Sequence, residues 1–255
     1  MKVTLIGSGN VSEYLCDWYD IYKQPVLQIA GKNRKTVSAL ARKYKTKTAY
    51  KPEQLLAHNG IYIIAVNDDE IANAFNYWYN GKGTWVHTSG STDMKVFGKK
   101  PGSFGVMYPL LTLNRLSVAS LFFEIPFLVE ASDRKTLLKI KSFLKRTKGV
   151  FRQADSKKRL KVHLAAVFLN NFIHHIGTLS FRMIKDIKLH PTVFAPLLRV
   201  TMINIFSNNR EKLQTGPARR KDMKTIEKHL AMLKGNPEMK AIYQVITNSI
   251  LKNYR

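Results

Sequence analysis

One cysteine stands in 255 residues, Cys16. A lone thiol excludes an internal disulfide framework and a cysteine-rich zinc site. Its place within the first helical period suits a small buried apolar role. No apolar run is long enough to span a membrane. An apolar strand opens the chain where a secretory leader would stand, so a cytoplasmic protein is expected. The chain also lacks a Gly-x-Ser-x-Gly elbow, a His-Glu-x-x-His helix and a Walker loop. Hydrolysis and metal chemistry therefore have no support, and no metal ligand is expected.

Acidic residues are scarce too: 17 Asp and Glu stand against 42 Lys and Arg, net +25. The excess is uneven. Residues 1–130 carry 15 Lys/Arg and 10 Asp/Glu, net +5, and residues 131–255 carry 27 and 7, net +20. Such a surface can attract nucleic acid, acidic lipid or anionic metabolites. Many of the lysines fall at helical surface spacing and are not interleaved with a nucleic-acid motif. A solvated basic face is therefore favoured over nucleic-acid binding.

What is present is concentrated in residues 3–34. An apolar strand (Val3, Leu5, Ile6) runs into Gly7, Ser8 and Gly9, which open a helix whose Val11, Tyr14, Leu15 and Trp18 share a face. A second apolar strand follows at residues 26–30. Gly7 and Gly9 permit a tight turn and let backbone N–H groups approach a pyrophosphate. The helix N-terminus, at Asn10 and Val11, then faces the anion. Ser12 replaces the third glycine of the G-x-G-x-x-G pattern and is small enough for close helix–strand packing. Two glycines after a strand are, alone, equally an ordinary turn; the strand–helix–strand order makes them a dinucleotide-binding entry.

No carboxylate lies between Asp20 and Glu53, so the residue that would hold an NAD ribose 2′-OH is missing. Lys32, Asn33, Arg34 and Lys35 follow the second strand instead. Cations there suit a 2′-phosphate: Arg34 as a bidentate fork that can also stack on adenine, Lys32 or Lys35 as added charge. The expected cofactor is NADP; the alternative is a solvated basic loop.

Strands and helices keep alternating. Helices are expected at residues 34–44, 52–57, on to 79 after a cap at Asn67, and 133–147. Strands are expected at 61–66, 84–87, from 103 to a turn at Pro109, at 122–130 with Pro126 inside, and at 149–152. This predicts an α/β, Rossmann-type doubly wound parallel sheet over residues 1–155. Ligands in such sheets lie beyond the carboxyl ends of the strands. Beyond the glycine loop, this singles out Val66 with Asn67, and Ser89 with Gly90, to flank a nicotinamide. Ordinary helix capping explains Asn67 and Ser89 equally well. From residue 156 the strand-like runs vanish. Helices over about 157–185, after Pro191, over 219–234 and from Pro237 onward predict a second, all-α domain, 156–255.

On the first of these helices His163, Val167, Asn170, Asn171 and His174 fall on one face, beside apolar Leu164, Phe168, Phe172 and Ile176. His163 could move a proton and Asn171 orient a substrate; a hydrogen-bonded domain or dimer interface is the competing account. In residues 215–222 (TGPARRKD), Gly216 and Pro217 set a turn, and Arg219 and Arg220 could bind a carboxylate or phosphate. Asp222 shares a helical face with His229, or simply stabilises its helix's first turn.

Assembled, the segments IGSGNV (6–11), IIAVNDDEI (63–71), HTSGS (87–91), YPLLTL (108–113), HLAAVFLNNF (163–172) and TGPARRKD give a resemblance over nearly the whole chain. The chain resembles a family of NADP oxidoreductases with a Rossmann-like N-terminal domain and a helical C-terminal domain of unknown function. That family is related to pyrroline-5-carboxylate reductases and the 6-phosphogluconate dehydrogenase-like group. The family pattern has a His, an Asn eight residues on, and Gly-Pro-small-small-Arg-Gly-Asp; His163, Asn171, Gly216, Pro217, Arg220 and Asp222 match. Arg219, Lys221 and Tyr108 depart from it, the last standing where the family often has His. The resemblance implies the fold more than the reaction, since the family's substrate is not established; the expected activity is hydride transfer between NADP(H) and a small, anionic substrate in an interdomain cleft. His163, Asn171, Arg220 and Asp222 are then the catalytic side, and a homodimer forms through the helical domain. The alternative is a non-catalytic nucleotide-binding protein whose basic helical domain binds a polyanion or protein partner.

Overall fold

Apolar residues that alternate between two faces of short strands build the sheet. The computed structural model describes residues 1–112 and 124–254. Strands β1 (Val3–Ile6), β2 (Val26–Ala30), β3 (Lys47–Ala49), β4 (Ile61–Ile64), β5 (Thr84–His87), β6 (Ser103–Pro109), β7 (Pro126–Ala131) and β8 (Val150–Gln153) form one eight-stranded sheet. Its order, β3-β2-β1-β4-β5-β6-β7-β8, begins with the 3-2-1-4-5-6 order of the Rossmann fold. Neighbours pair in parallel except β6 with β7, which run antiparallel.

Helices cover both faces. Those of α1 (Asn10–Ile21), α2 (Arg34–Lys43) and α4 (Arg134–Arg146) bury Leu15, Val37 and Phe143 with Ile61 and Ile63 of β4. Across the sheet, α3 (Ile71–Trp78) buries Phe75 and Trp78 with Tyr62 and Ile64 of the same strand. Successive β4 residues thus feed opposite cores, as the period of a strand requires. Cys16 is buried in α1, and burial chiefly pushes its thiol up to about 12.

Two compact units divide the chain, Met1–Asn171 and Phe172–Arg255. The first holds the sheet, α1 to α4, and α5 (Ser156–Ala166). The second holds α6 (Ile173–Met183), α7 (Ala195–Phe206), α8 (Met223–Met232) and α9 (Pro237–Asn253), and no strand among the described residues.

Several local expectations change. β3 is an additional strand whose polar text gave no apolar signal; it is tied down by Gln28 Nε2, which donates to Thr48 O at 3.1 Å and to Gln54 O at 2.9 Å. Residues 52–57 reduce to a single 3-10 turn, Pro52–Gln54. Asn67 makes no capping bond, and the 3-10 turn Asp68–Glu70 leads into α3 instead. Pro126 opens β7 rather than lying inside it; lacking an N–H, it fits the first position of a strand. Leu113, the last residue of the YPLLTL segment, and Phe122 and Phe123, expected to begin a strand, lie outside the described residues. Helix 157–185 is not uniform: α5 ends at Ala166, and Val167–Phe172 is π-helical. A π segment adds residues per turn and shifts the face that helical spacing predicts.

Candidate functional site

The loop after β1 is shaped by what cannot fit there. Gly7 has φ +120°, and a Cβ on it would stand 2.2 Å from the carbonyl oxygen of Ala65. Gly9, at the N-cap of α1, has open space around its Cβ position, and no side chain caps the helix. The N–H groups of Asn10, Val11 and Ser12, which begin α1, can therefore face an anion. Gly7, Ser8, Gly9, Asn10 and Val11 line one cleft of about 550 Å³ with Lys32, Asn33, Val66 and Asn67. A glycine passage, an uncapped helix start and a cation on the far wall fit the pyrophosphate and ribose phosphate of a dinucleotide.

The basic loop divides its labour. Asn33 caps α2, its side chain accepting from Thr36 N at 3.2 Å. The hydroxyl of Ser8 is 2.7 Å from that of Thr36, which ties the glycine loop to α2. Lys32 faces the cleft and is its only Lys or Arg among the described lining residues. Arg34 does not line it; its guanidinium lies 5.1 Å over the ring of Tyr50.

A second cleft, of about 640 Å³, shares Val11 with the first. Thr88, Tyr108, His163, Asn170 and Asn171 line it. Tyr108 Oη is 3.1 Å from His163 Nδ1. Burial first, then Asp68, raises the Tyr108 phenol above its ordinary range, so it stays protonated. Gly90 lies against both: a Cβ there would come within 2.6 Å of His163 Nδ1 and 2.8 Å of Tyr108 Cζ. Ser89 is turned into its own loop, its hydroxyl accepting from Ser91 N at 3.1 Å and Thr92 N at 2.9 Å.

Helix α5 is pinned to the sheet one turn before His163. Arg159 is fully buried, donates to Glu130 of β7 and to Thr92 O, and lies 3.2 Å from Ser156 Oγ. Ser156 donates to the same carboxylate at 2.7 Å and accepts from Met94 N at 3.0 Å. Buried nearby is His87, whose Nδ1 accepts from Ser89 N at 3.2 Å. Burial, then the charge of Arg159, lowers His87 to about 3, so the ring is neutral.

The remaining sequence candidates belong to the second unit. Asp222 caps α8, accepting from Thr225 N at 3.1 Å and from its hydroxyl at 2.7 Å, and these bonds lower its pKa. Arg220 is exposed, whereas Arg219 Nη1 donates to Tyr254 O at 3.2 Å. His229 Nδ1 is 2.9 Å from Tyr243 Oη in an apolar cavity of about 460 Å³ beside Gly216 and Pro217. His174 is exposed. The structure thus brings His163 and Asn171 to one cleft next to the glycine loop, and puts Arg220 and Asp222 in the other unit.

Tyr108 and Arg159 carry part of this geometry and were not among the sequence candidates. Tyr108 could have been found from its place at the carboxyl end of β6. Arg159 reads in sequence as one more cation of a basic helix.

Among the described residues no group of three or more His, Cys, Asp or Glu could hold a metal ion, and no helix is long and apolar enough to cross a membrane. No curated protein sequence matches the chain. Residues 125–250 match a family described as a domain of unknown function, DUF2520. Solved structures similar to the chain include a putative NADP oxidoreductase from Bacteroides fragilis, with TM-score 0.87, 29% identity and 98% of each chain covered. A 1-pyrroline-5-carboxylate reductase from Streptococcus pyogenes has TM-score 0.61 and 11% identity, over 99% of this chain and 98% of that one. A reductive aminase from Aspergillus terreus, in complex with NADPH and ethyl-5-oxohexanoate, has TM-score 0.71 and 11% identity, over 100% and 94%. The chain carries the Rossmann-type fold that these oxidoreductases share, and its C-terminal half matches DUF2520.

Proposed function

We propose that this protein is an NADP(H)-dependent oxidoreductase that passes a hydride between the nicotinamide and the carbon of a small carbonyl or imine substrate. The observation that carries it is the His163–Tyr108 pair in a cleft that shares Val11 with the glycine loop. The likeness to the Bacteroides fragilis protein supports the cofactor class.

Gly7, Ser8, Gly9, Asn10 and Val11 would hold the pyrophosphate, Lys32 and Asn33 the 2′-phosphate, and Val66, Asn67 and Gly90 would border the nicotinamide. NADPH, when bound, supplies the hydride. The chain handles the proton. Tyr108 would donate to Nδ1 of His163, leaving the ring proton on Nε2. His163 releases that proton to the substrate oxygen or nitrogen as the neighbouring carbon gains the hydride, and takes it back in the oxidative direction. Asn171 supplies an amide to orient the substrate. The substrate is small and anionic in this reading, which rests on exposed Arg220 and on the +20 of the second half. Asp222, as the cap of α8, sets the backbone that carries Arg220.

A second copy of the chain completes the proposal. Helix α7 is apolar on most sides yet buries no residue; Leu197, Val200, Ile203 and Phe206 are all exposed. A helix with that text is stable in water when covered, and we assign the cover to a homodimer. A panel of keto acids, their esters, ketones and imines, followed by NADPH consumption, tests the function. Turnover of keto acids ahead of their esters is expected. No turnover, with steeply salt-dependent binding to nucleic acid, would replace this reading with polyanion binding.

A further inference from the structure

Lys32, in the loop after β2, and Arg34, the first residue of α2, each lie on a tyrosine. Lys32 Nζ is 4.8 Å from the ring centroid of Tyr77, and Arg34 Cζ is 5.1 Å from that of Tyr50. The two contacts differ in direction. Tyr50 stands just after β3, and its hydroxyl is 2.8 Å from that of Ser38, so it draws Arg34 onto the α2 side. Tyr77 belongs to α3, whose Ala74 and Trp78 line the glycine cleft. Its contact with Lys32 therefore joins the β2 loop to α3, two elements that border the cleft.

We infer that Tyr77 is a selectivity residue for the dinucleotide: its ring holds the Lys32 ammonium at the cleft, where it pairs with the ribose 2′-phosphate. The inference rests on the NADP(H) reading above. A lysine side chain is a flexible stem that loses much rotamer freedom when it grips an anion. A ring that already restricts the ammonium lowers that cost for any ligand that needs the ammonium, and for no other. NADH and NADPH differ only in the 2′-phosphate, so the effect belongs to NADPH alone. Glu70 also lines the cleft and is an anion that could attract the ammonium. The ring keeps the ammonium available by attracting it without neutralising it.

Dissociation constants for NADPH and NADH, measured by calorimetry on the wild type and on Tyr77→Leu, Tyr77→Phe, Lys32→Gln and the double variant Tyr77→Leu/Lys32→Gln, test this. Tyr77 is 40% exposed, so these variants should fold, which circular dichroism checks. The wild type should favour NADPH. Tyr77→Leu should lose about two- to fivefold in NADPH affinity, the size of an exposed cation–π contact, with NADH unchanged. Tyr77→Phe, which keeps the ring, should match the wild type. The double variant should bind NADPH no worse than Lys32→Gln alone, since the ring acts through the lysine. Equal losses for both dinucleotides, or none, would overturn the inference while the NADP reading stands. A wild type that favours NADH would overturn that reading and the inference with it.

Discussion

The hydroxyl of Tyr108, at the carboxyl end of β6, lies 3.1 Å from Nδ1 of His163 on α5. The two residues are 55 apart in sequence and meet over Gly90, where a Cβ would force one of them to shift. Burial keeps the phenol protonated, and in the proposed mechanism it donates to Nδ1 so that Nε2 carries the ring proton. Tyr108→Phe removes that donor while keeping the ring. Turnover should fall by about a hundredfold, the lower range for a general acid, with NADPH affinity unchanged. Steady-state kinetics and calorimetry check it.

Gly90→Ala should reach the same end by a steric route. Its Cβ would press on both His163 and Tyr108, so the pair must separate. Turnover should drop about as far as in Tyr108→Phe, and the two changes combined should cost little more than either alone. A double-mutant cycle on turnover measures this.

Gly7→Ala strikes the backbone instead. A residue with a side chain is strained at φ +120°, and its Cβ would meet the Ala65 carbonyl. A loss of stability of about 1–3 kcal/mol is expected, together with loss of NADPH binding. Urea unfolding and calorimetry on the same variant check both.

Much of this layout was legible in the sequence because it is local. The glycine turn after β1 and the missing carboxylate after β2 both sit within a few residues of the element they control. What was not legible depends on distance. β3 has no apolar run and forms because β2 and Gln28 provide partners. Lys32 rather than Arg34 lines the cleft, and the tyrosines they meet lie in α3 and after β3, far off in sequence. Arg159 looked like surface charge because its carboxylate, Glu130, is 29 residues away.

Removing one partner of that buried pair should show its weight. Arg159 has no exposure, so Arg159→Met leaves Glu130 without its cation and should cost about 3 kcal/mol or more. Changing both, as in Glu130→Gln/Arg159→Met, should recover part of the loss. Urea midpoints for the single and double variants test it.

Acid should weaken the fold before it protonates carboxylates. His58 is lowered to about 4, chiefly by burial, and His87 to about 3. Both would titrate near 6.5 in the unfolded chain. Below that pH the unfolded state binds protons that the folded state refuses. Stability is therefore full above pH of about 6.5 and falls as pH drops toward 4, by up to about 1.4 kcal/mol per pH unit for each histidine. Urea midpoints across this window should decline; a flat profile would contradict the neutral, buried assignment.

The most direct measurement is NADPH consumption with the carbonyl and imine panel by the wild type and by His163→Ala, beside the NADPH affinity of each. Turnover in the wild type, lost in His163→Ala at unchanged NADPH affinity, is the predicted result. Turnover that survives in His163→Ala would contradict the account.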